Sequence, residues 1–148
     1  MSLFFAFLHH VAAFTLVAAL AVEFVLMRQE VTRPGAIRLM ATDVVLGVSA
    51  TILLVVGLLR VFYFEKGASY YFSSHAFLTK LSVFLIVAAL SAVPTIEFLS
   101  WRKAVKAGQA PLPTPAKLNL IRNIIHLELI GVVVILLCAA IMARGGWQ

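Results

Sequence analysis

Long apolar runs alternate with short polar connections along this chain. Four of the runs are long enough to cross a bilayer as helices, which takes about 20 mostly apolar residues: about residues 2–27, 44–64, 76–100 and 118–143. The longest connection, from Trp101 to about Lys117, is too short to form a core of its own. The pattern predicts an all-α integral membrane protein with residues 1–148 in a single transmembrane domain.

The connections between the four runs carry turn signals. Pro34-Gly35 marks the first turn, Lys66 to Tyr71 forms the second, and the third contains Pro111, Pro113 and Pro115. Short connections place consecutive helices antiparallel. We therefore expect an up-down antiparallel four-helix bundle, in which a cofactor would bind between facing helices.

Composition supports a lipid environment. Hydrophobic residues make up 63% of the chain and charged residues 12%, with a mean hydropathy of +1.06, whereas soluble domains are about 45–50% apolar and about 25% charged. The net charge of +6 lies mostly in the connections, so we expect the lipid bilayer and not nucleic acid as the partner. The amino-terminal run lacks the basic start and the cleavage pattern of a signal peptide, so we expect it to be retained. The single cysteine, Cys138, is expected to pack as a small apolar residue.

The basic residues predict an orientation. Eight of them lie in the first and third connections: Arg28, Arg33, Arg38, Arg102, Lys103, Lys106, Lys117 and Arg122. Three lie at the opposite level: Arg60, Lys66 and Arg144. Cytoplasmic connections are enriched in Lys and Arg. The asymmetry therefore predicts that both termini lie outside the cytoplasm.

Ionisable residues inside the spans are the candidate functional residues, because burying a charge in the bilayer is costly. In the predicted orientation they form two sets. The outer set is His9, His10, Arg60, His75 and Lys80. The inner set is Glu23, Asp43, Glu97, Arg122, His126 and Glu128.

Helical phase sorts these residues by face. His9 and Glu23 are fourteen positions apart and so lie about 40° from the same face at roughly 100° per residue, whereas His10 points about 100° away. His9 is thus expected to face inward with Glu23. In the fourth span, His126 continues a polar stripe from Asn119, and Glu128 lies on nearly the opposite side.

The outer set suits a b-type haem. Haem in a membrane bundle needs an imidazole for the iron, a second ligand or an open position, and cations or hydroxyls for the propionates. His9 is the predicted iron ligand, with His75 as the second candidate metal ligand and His10 as a further one. Lys80, Arg60 and Tyr70 are the predicted cofactor-binding partners, and Lys80 and Arg60 are also the candidates for a catalytic role.

Three alternatives involve the inner set or no cofactor at all. A haem-free ion or metal transport or accessory protein would use a carboxylate and histidine site made of Glu23, Asp43, Glu97, His126 and Glu128, although the Glu-x-x-His spacing of di-iron bundles is missing. In a purely structural interpretation, the three glutamates neutralise neighbouring arginines, pairing Glu23 with Arg28, Glu97 with Arg102 and Glu128 with Arg122. A third alternative is a membrane assembly factor without a cofactor.

Two short segments resemble a known family. Phe7-Leu8-His9-His10-Val11-Ala12-Ala13 and Phe77-Leu78-Thr79-Lys80-Leu81 look like the helix-1 histidine and helix-3 lysine segments of HemJ-type protoporphyrinogen IX oxidase. That likeness implies His9 as axial haem ligand and Lys80 as an essential cation beside it. The chain lacks the Trp-x-x-Gly and Leu-Pro-Arg patterns of that family, which favours haem binding over porphyrinogen oxidation.

A longer resemblance covers nearly the whole chain. Its residues include Glu23, Arg60-Val61-Phe62-Tyr63, Ser91-Ala92-Val93-Pro94-Thr95, Trp101, Glu128 and Met142-Ala143-Arg144-Gly145. They resemble a domain-of-unknown-function family of four-helix bacterial inner-membrane proteins, distantly similar to HemJ and to CopD membrane domains. The resemblance implies a multi-pass protein of the bacterial inner membrane, which with the predicted orientation has both termini in the periplasm.

Together these observations predict an integral inner-membrane protein that binds haem b and is redox-active, in electron transfer or as a small oxidoreductase. Its expected partners are quinone, porphyrin or another redox partner, and a second copy of the chain in a homo-oligomer.

Overall fold

The computed structural model describes residues 2–145, which form helices and no strands. The helices are α1 (Ser2–Leu26), α2 (Arg33–Leu59), α3 (Ala68–Phe72), α4 (His75–Ser100), α5 (Arg102–Lys106) and α6 (Pro115–Ala143). A π-helical turn, Arg60–Phe64, extends α2. Four helical segments are long and apolar enough to cross a membrane: Leu3–Leu26, Arg33–Phe64, His75–Lys106 and Pro115–Ala143. The predicted all-α architecture with four membrane spans is confirmed.

The start of α2 differs from the prediction. The helix begins at Arg33 and not near residue 44, so Pro34-Gly35 lies in its first turn and not in a separate turn. Thr32 caps this turn, its hydroxyl oxygen accepting a hydrogen bond from the Gly35 amide at 3.1 Å. Proline suits the first turn of a helix, where its missing N–H has no partner to lose. The same device, Thr114 as the cap and Pro115 in the first turn, begins α6.

The long helices form two hairpins. The most extensive contacts join α1 to α2 and α4 to α6, whereas the contacts of α1 with α6 and of α2 with α4 are fewer. The imidazole at the start of α1, His9, lies beside Gly57 near the end of α2. This contact fits antiparallel neighbours.

A hydrophobic core closes one end of the bundle, where α1 ends and α6 begins. Its buried side chains include Met27, Phe98, Trp101, Ile121 and Ile125. Backbone carbonyls at this end also accept hydrogen bonds from arginines that would otherwise be unpaired. Arg122 Nε donates to the Met27 carbonyl at 2.7 Å, and Arg33 Nε donates to the Val105 carbonyl at 3.1 Å. We call this the inner end and the opposite one the outer end.

Candidate functional site: a cavity between the two hairpins

A cavity of about 940 Å³ lies between the two hairpins. All four long helices contribute to its walls, which are mostly apolar. Its outer end is lined by the ionisable and phenolic side chains His9, His10, Arg60, Glu65, Lys66, Tyr70, Tyr71 and Lys80. Glu128 lines it at the opposite end, together with Leu20, Leu46 and Ser91. The cavity therefore has cationic side chains at its outer end and the buried carboxyl group of Glu128 at its opposite end.

His9 lies in the wall of this cavity. A Cβ atom added at Gly57 would lie 3.3 Å from His9 Cε1, so the absence of a side chain at position 57 makes room for the imidazole. His9 Nδ1 is buried and has no hydrogen-bond partner among residues 2–145. His10 lines the cavity too but is exposed, and its Nδ1 donates to the Ala6 carbonyl at 2.7 Å. The two rings differ as helical phase predicts.

The cations at the outer end differ in how they are paired. Arg60 donates a hydrogen bond to the Glu65 carboxylate and forms an ion pair with it. Lys66 lies over the Tyr70 ring, 4.6 Å from its centroid. Lys80 Nζ lies 5.6 Å from the centroid of the Phe77 ring, and within the described part of the chain it forms no ion pair. Lys80 is therefore free to hold an anion.

A hydrogen-bonded cluster in the second connection holds this end in shape. Glu65 accepts from Arg60 on one carboxylate oxygen and from the Tyr71 hydroxyl on the other. Burial alone would raise the pKa of Glu65, but the hydrogen bonds from Tyr71 and Arg60 and the Arg60 charge lower it. Burial, and then the Glu65 hydrogen bond and charge, raise the pKa of Tyr71 to about 12. Near neutral pH the cluster therefore consists of a carboxylate, a guanidinium and a neutral phenol.

The π-helical turn Arg60–Phe64 carries the first member of that cluster. Such turns are rare and occur mostly as single turns, frequently at functional sites, because the extra residue changes where the side chains point. Here the turn connects α2 to Glu65, which binds the Arg60 guanidinium. Sequence periodicity did not predict this turn, since it assumes 3.6 residues per turn throughout.

Two side chains change the set of iron-ligand candidates. His75 is the first residue of α4, is exposed, and does not line the cavity. The structure thus does not bring His75 to His9. Met142, near the end of α6, does line the cavity, although it is not among the predicted iron ligands. The signal that could have found it is its thioether, a known haem ligand type, at the level of the outer set.

The inner set does not form the carboxylate and histidine site that was the alternative prediction. Glu97 accepts from Trp101 Nε1 at 3.0 Å and pairs with Lys117 at 3.1 Å. His126 is exposed, and its Nδ1 donates to the Arg122 carbonyl at 2.7 Å. Within residues 2–145, no three His, Cys, Asp or Glu side chains come together as a metal site.

The predicted salt-bridge pairs are also wrong. The Arg28 guanidinium lies 4.3 Å from the centre of the Phe24 ring and does not pair with Glu23. Arg122 binds the Met27 carbonyl, because six positions on a helix turn it about 120° away from Glu128.

Glu23 and Glu128 are instead buried without partners. Their side chains are 0% and 1% exposed, and none of their four carboxylate oxygens has a hydrogen-bond partner within the described residues. Asp43 is 7% exposed and accepts from the Thr95 hydroxyl at 2.8 Å. Buried carboxyl groups without a cation are unusual in proteins. They mark the inner half of the bundle as a second candidate site.

The outer surface of the four helices is apolar. Large hydrophobic side chains are widely exposed on it, including Phe14 at 75%, Ile96 at 67% and Val133 at 64%. In water such a surface would associate, whereas in lipid it is the expected one. The fold and its surface define an integral membrane protein with four spanning helices.

Comparison with known proteins agrees with this class. The chain belongs to the family described as "Predicted membrane protein (DUF2214)", whose family model matches residues 1–146. No curated protein and no solved structure matches the chain.

Proposed function

We propose that this protein binds haem b in the cavity between its hairpins, with His9 as the iron ligand, and that it functions in electron transfer or as a small oxidoreductase of the bacterial inner membrane. The observation that carries the proposal is the His9 ring nitrogen, buried in the cavity wall without a hydrogen-bond partner among residues 2–145. A buried imidazole nitrogen normally has a partner. Iron is a partner suited to a neutral imidazole.

The size and polarity of the cavity fit such a ligand. Its volume of about 940 Å³ falls within the range of about 300–1,000 Å³ typical of cofactor sites. Apolar side chains from all four long helices would surround the porphyrin, and the Gly57 backbone leaves room for the His9 ring in the cavity wall.

The charges at the outer end also fit haem. Arg60, Lys66 and Lys80 line that end with the one carboxylate of Glu65, which leaves two net positive charges. Two propionates carry two negative charges. Lys80, which has no ion pair in the described residues, would bind one propionate directly. The HemJ-like segments of the sequence carry His9 and Lys80, and both residues line this one cavity.

Bound haem would supply one-electron redox chemistry, while the protein would orient the cofactor, exclude water and set the ligand field. His9 would hold the iron, and Met142 and His10 are further cavity-lining side chains that carry an atom able to ligate iron. Quinone, porphyrin or another redox partner would exchange electrons with it, and a second copy of the chain would share the lipid-facing surface. Both termini would lie in the periplasm.

The alternative is a haem-free ion or metal transport or accessory protein. It has less support, because the Glu97 carboxylate already accepts a hydrogen bond from Trp101 and forms an ion pair with Lys117, and because the His126 side chain is exposed on the outer surface. The buried acids Glu23 and Glu128 remain compatible with either function.

The test is the absorption spectrum of the protein purified in mild detergent from haem-replete cells. We expect a Soret band and a pyridine haemochromogen of b type. A colourless preparation with no haemochromogen signal would overturn the proposal.

A matched pair of variants tests the ligand. His9→Ala should lose the Soret band, and His10→Ala should keep most of it, because the His10 ring is exposed and its Nδ1 is already bonded to the Ala6 carbonyl. Equal loss in both variants would contradict the assignment of His9.

A further inference from the structure

Glu128 lies in the cavity wall, near the midpoint of α6. It is 1% exposed, and both of its carboxylate oxygens are buried without a hydrogen-bond partner within residues 2–145. An ionised carboxylate in such surroundings is strongly unfavourable unless a cation or several donors bind it. The side chain is thus either neutral or bound to something that enters the cavity.

The groups that face Glu128 do not neutralise it. From α1 comes Glu23, which is 0% exposed and equally unpartnered, and from α2 comes Asp43; both are acids, so neither supplies a positive charge. Helix α4 supplies two uncharged hydroxyls. Ser91 lies in the cavity wall, and Thr95 donates a hydrogen bond to Asp43.

The nearest cationic side chains do not balance the charge of an ionised Glu128, because one is bound to another group and the other is distant. Arg122, on the same helix as Glu128, binds the Met27 carbonyl. Lys80 lines the same cavity but at its outer end, about three helical turns before Ser91 along α4. A metal ion is not favoured as the counter-charge either, since no three ligating side chains of the described chain converge. A proton is the remaining small cation.

We propose that Glu128 is a proton-binding site that exchanges its proton with the contents of the cavity, and that Glu23 is a second protonated acid behind it. A proton from water in the cavity adds to a Glu128 oxygen, and the same proton leaves to water when the group ionises. No other bond changes. Protonatable carboxyls within membrane spans commonly serve as proton relays.

Such a site would give the cavity an adjustable charge deep in the bilayer. An electron arriving at an occupant of the cavity would make a proton at Glu128 more favourable, so electron and proton uptake would be coupled. The proton site itself depends on the cavity and not on which ligand fills it. Its test therefore uses infrared spectroscopy of the purified protein and does not rely on a haem signal.

The experiment measures the carbonyl stretch of protonated carboxylic acids near neutral pH in lipid nanodiscs. We expect a band that Glu128→Gln and Glu23→Gln each reduce, because the amide cannot carry an acid proton. Glu30→Gln is the matched control, since Glu30 is exposed in the first connection and should leave the band unchanged. If Glu128→Gln leaves the wild-type band intact, Glu128 is ionised and the proposal is wrong.

A second measurement tests the route and does not alter any acid. Transfer into heavy water shifts the band as the acid proton exchanges. Ala88 lines the cavity, whereas Ala89 is exposed on the outside of the same helix. Ala88→Phe, which fills the cavity, should slow the exchange of the Glu128 band at least several-fold, and Ala89→Phe should not. Equal exchange in both variants would show that the proton does not pass through the cavity, and it would overturn the proposal even where the acid band is present.

Discussion

The imidazole of His9 occupies the space that a side chain at Gly57 would fill: a Cβ there would lie 3.3 Å from His9 Cε1 and 3.7 Å from Nδ1. The lack of a side chain at Gly57 of α2 therefore leaves the space in which the His9 ring of α1, the proposed iron ligand, lies. Another glycine of the same helix, Gly47, has no atom within 4 Å of its added Cβ. One helix thus offers a test position and a control.

Gly57→Leu should displace the His9 ring and weaken haem binding, whereas Gly47→Leu should not. Both substitutions replace glycine by the same helix-favouring residue, so they change helix propensity alike. We expect a loss of about tenfold or more in haem affinity for the first, which corresponds to about 1.4 kcal/mol. Haem titration of the apoproteins measures it. Equal affinities in the two variants would contradict the role of Gly57.

Lys80→Met should weaken haem binding but leave the iron spectrum nearly unchanged. The ammonium is expected to hold a propionate by charge and not to bind the metal, so its loss removes an ion pair and leaves the ligand field intact. An affinity titration combined with the visible and electron paramagnetic resonance spectra separates the two effects. A wholly altered axial spectrum would instead identify lysine as a ligand.

The cluster of Glu65, Arg60 and Tyr71 should give the outer end a stability that depends on pH at two extremes. Because the pKa of Glu65 is lowered from 4.5, its stabilising effect is full above that pH and is lost as pH falls through the lower folded value. Because the pKa of Tyr71 is raised from 10.0 to about 12, its effect is full below pH 10 and is lost as pH rises through about 12.

Thermal unfolding of the wild type, Glu65→Gln and Tyr71→Phe checks this pH dependence. The deficit of Glu65→Gln should be constant near neutral pH and shrink in acid, and that of Tyr71→Phe should shrink in alkali. Deficits that do not change with pH would show that the cluster makes no such contribution.

Gly131→Ala should destabilise the contact between α4 and α6. A Cβ at position 131 would lie 2.4 Å from Val87 Cγ2, and valine has little rotamer freedom in a helix with which to move aside. Overpacking of this kind costs about 1–3 kcal/mol. Adding Val87→Ala should restore much of the loss, which a double-mutant cycle in unfolding free energy would reveal. Additive effects of the two substitutions would contradict the contact.

Single-cysteine labelling tests the orientation. In a Cys138→Ala background, Ser69→Cys should be reachable from the periplasm and Gln109→Cys only from the cytoplasm, because the basic residues concentrate in the first and third connections. The reverse pattern would show an inverted topology.

Hydropathy and helical phase predicted the parts of this fold that repeat regularly. The four spans follow from length and composition, and the inward direction of His9 and Glu23 follows from their spacing along one helix. Their spacing along the fourth span likewise puts Glu128 on the side opposite the exposed His126. Periodicity within one helix fixes which residues share a face, and a lipid surface makes the buried face recognisable.

What the sequence left undecided depends on contacts between helices. Glu97 pairs with Lys117 and not Arg102, because α6 begins at Pro115 and brings Lys117, in its first turn, to the end of α4. His75 is turned outward at the first position of α4, and its phase could not be judged without knowing where that helix begins. Pro34-Gly35 predicts a turn, although Thr32 caps a helix that contains both residues. Each of these depends on an end of a helix, where local patterns are weakest.

The division of the bundle into two hairpins has a consequence for its biogenesis. Each hairpin is a continuous stretch of chain whose helices contact one another more extensively than they contact the other hairpin. During insertion the first pair can therefore associate before the second has been synthesised, and the cavity comes into being only when the pairs meet. A ligand bound there would hold the two preformed hairpins together. The supply of that ligand would then determine what fraction of the protein in the membrane is fully assembled.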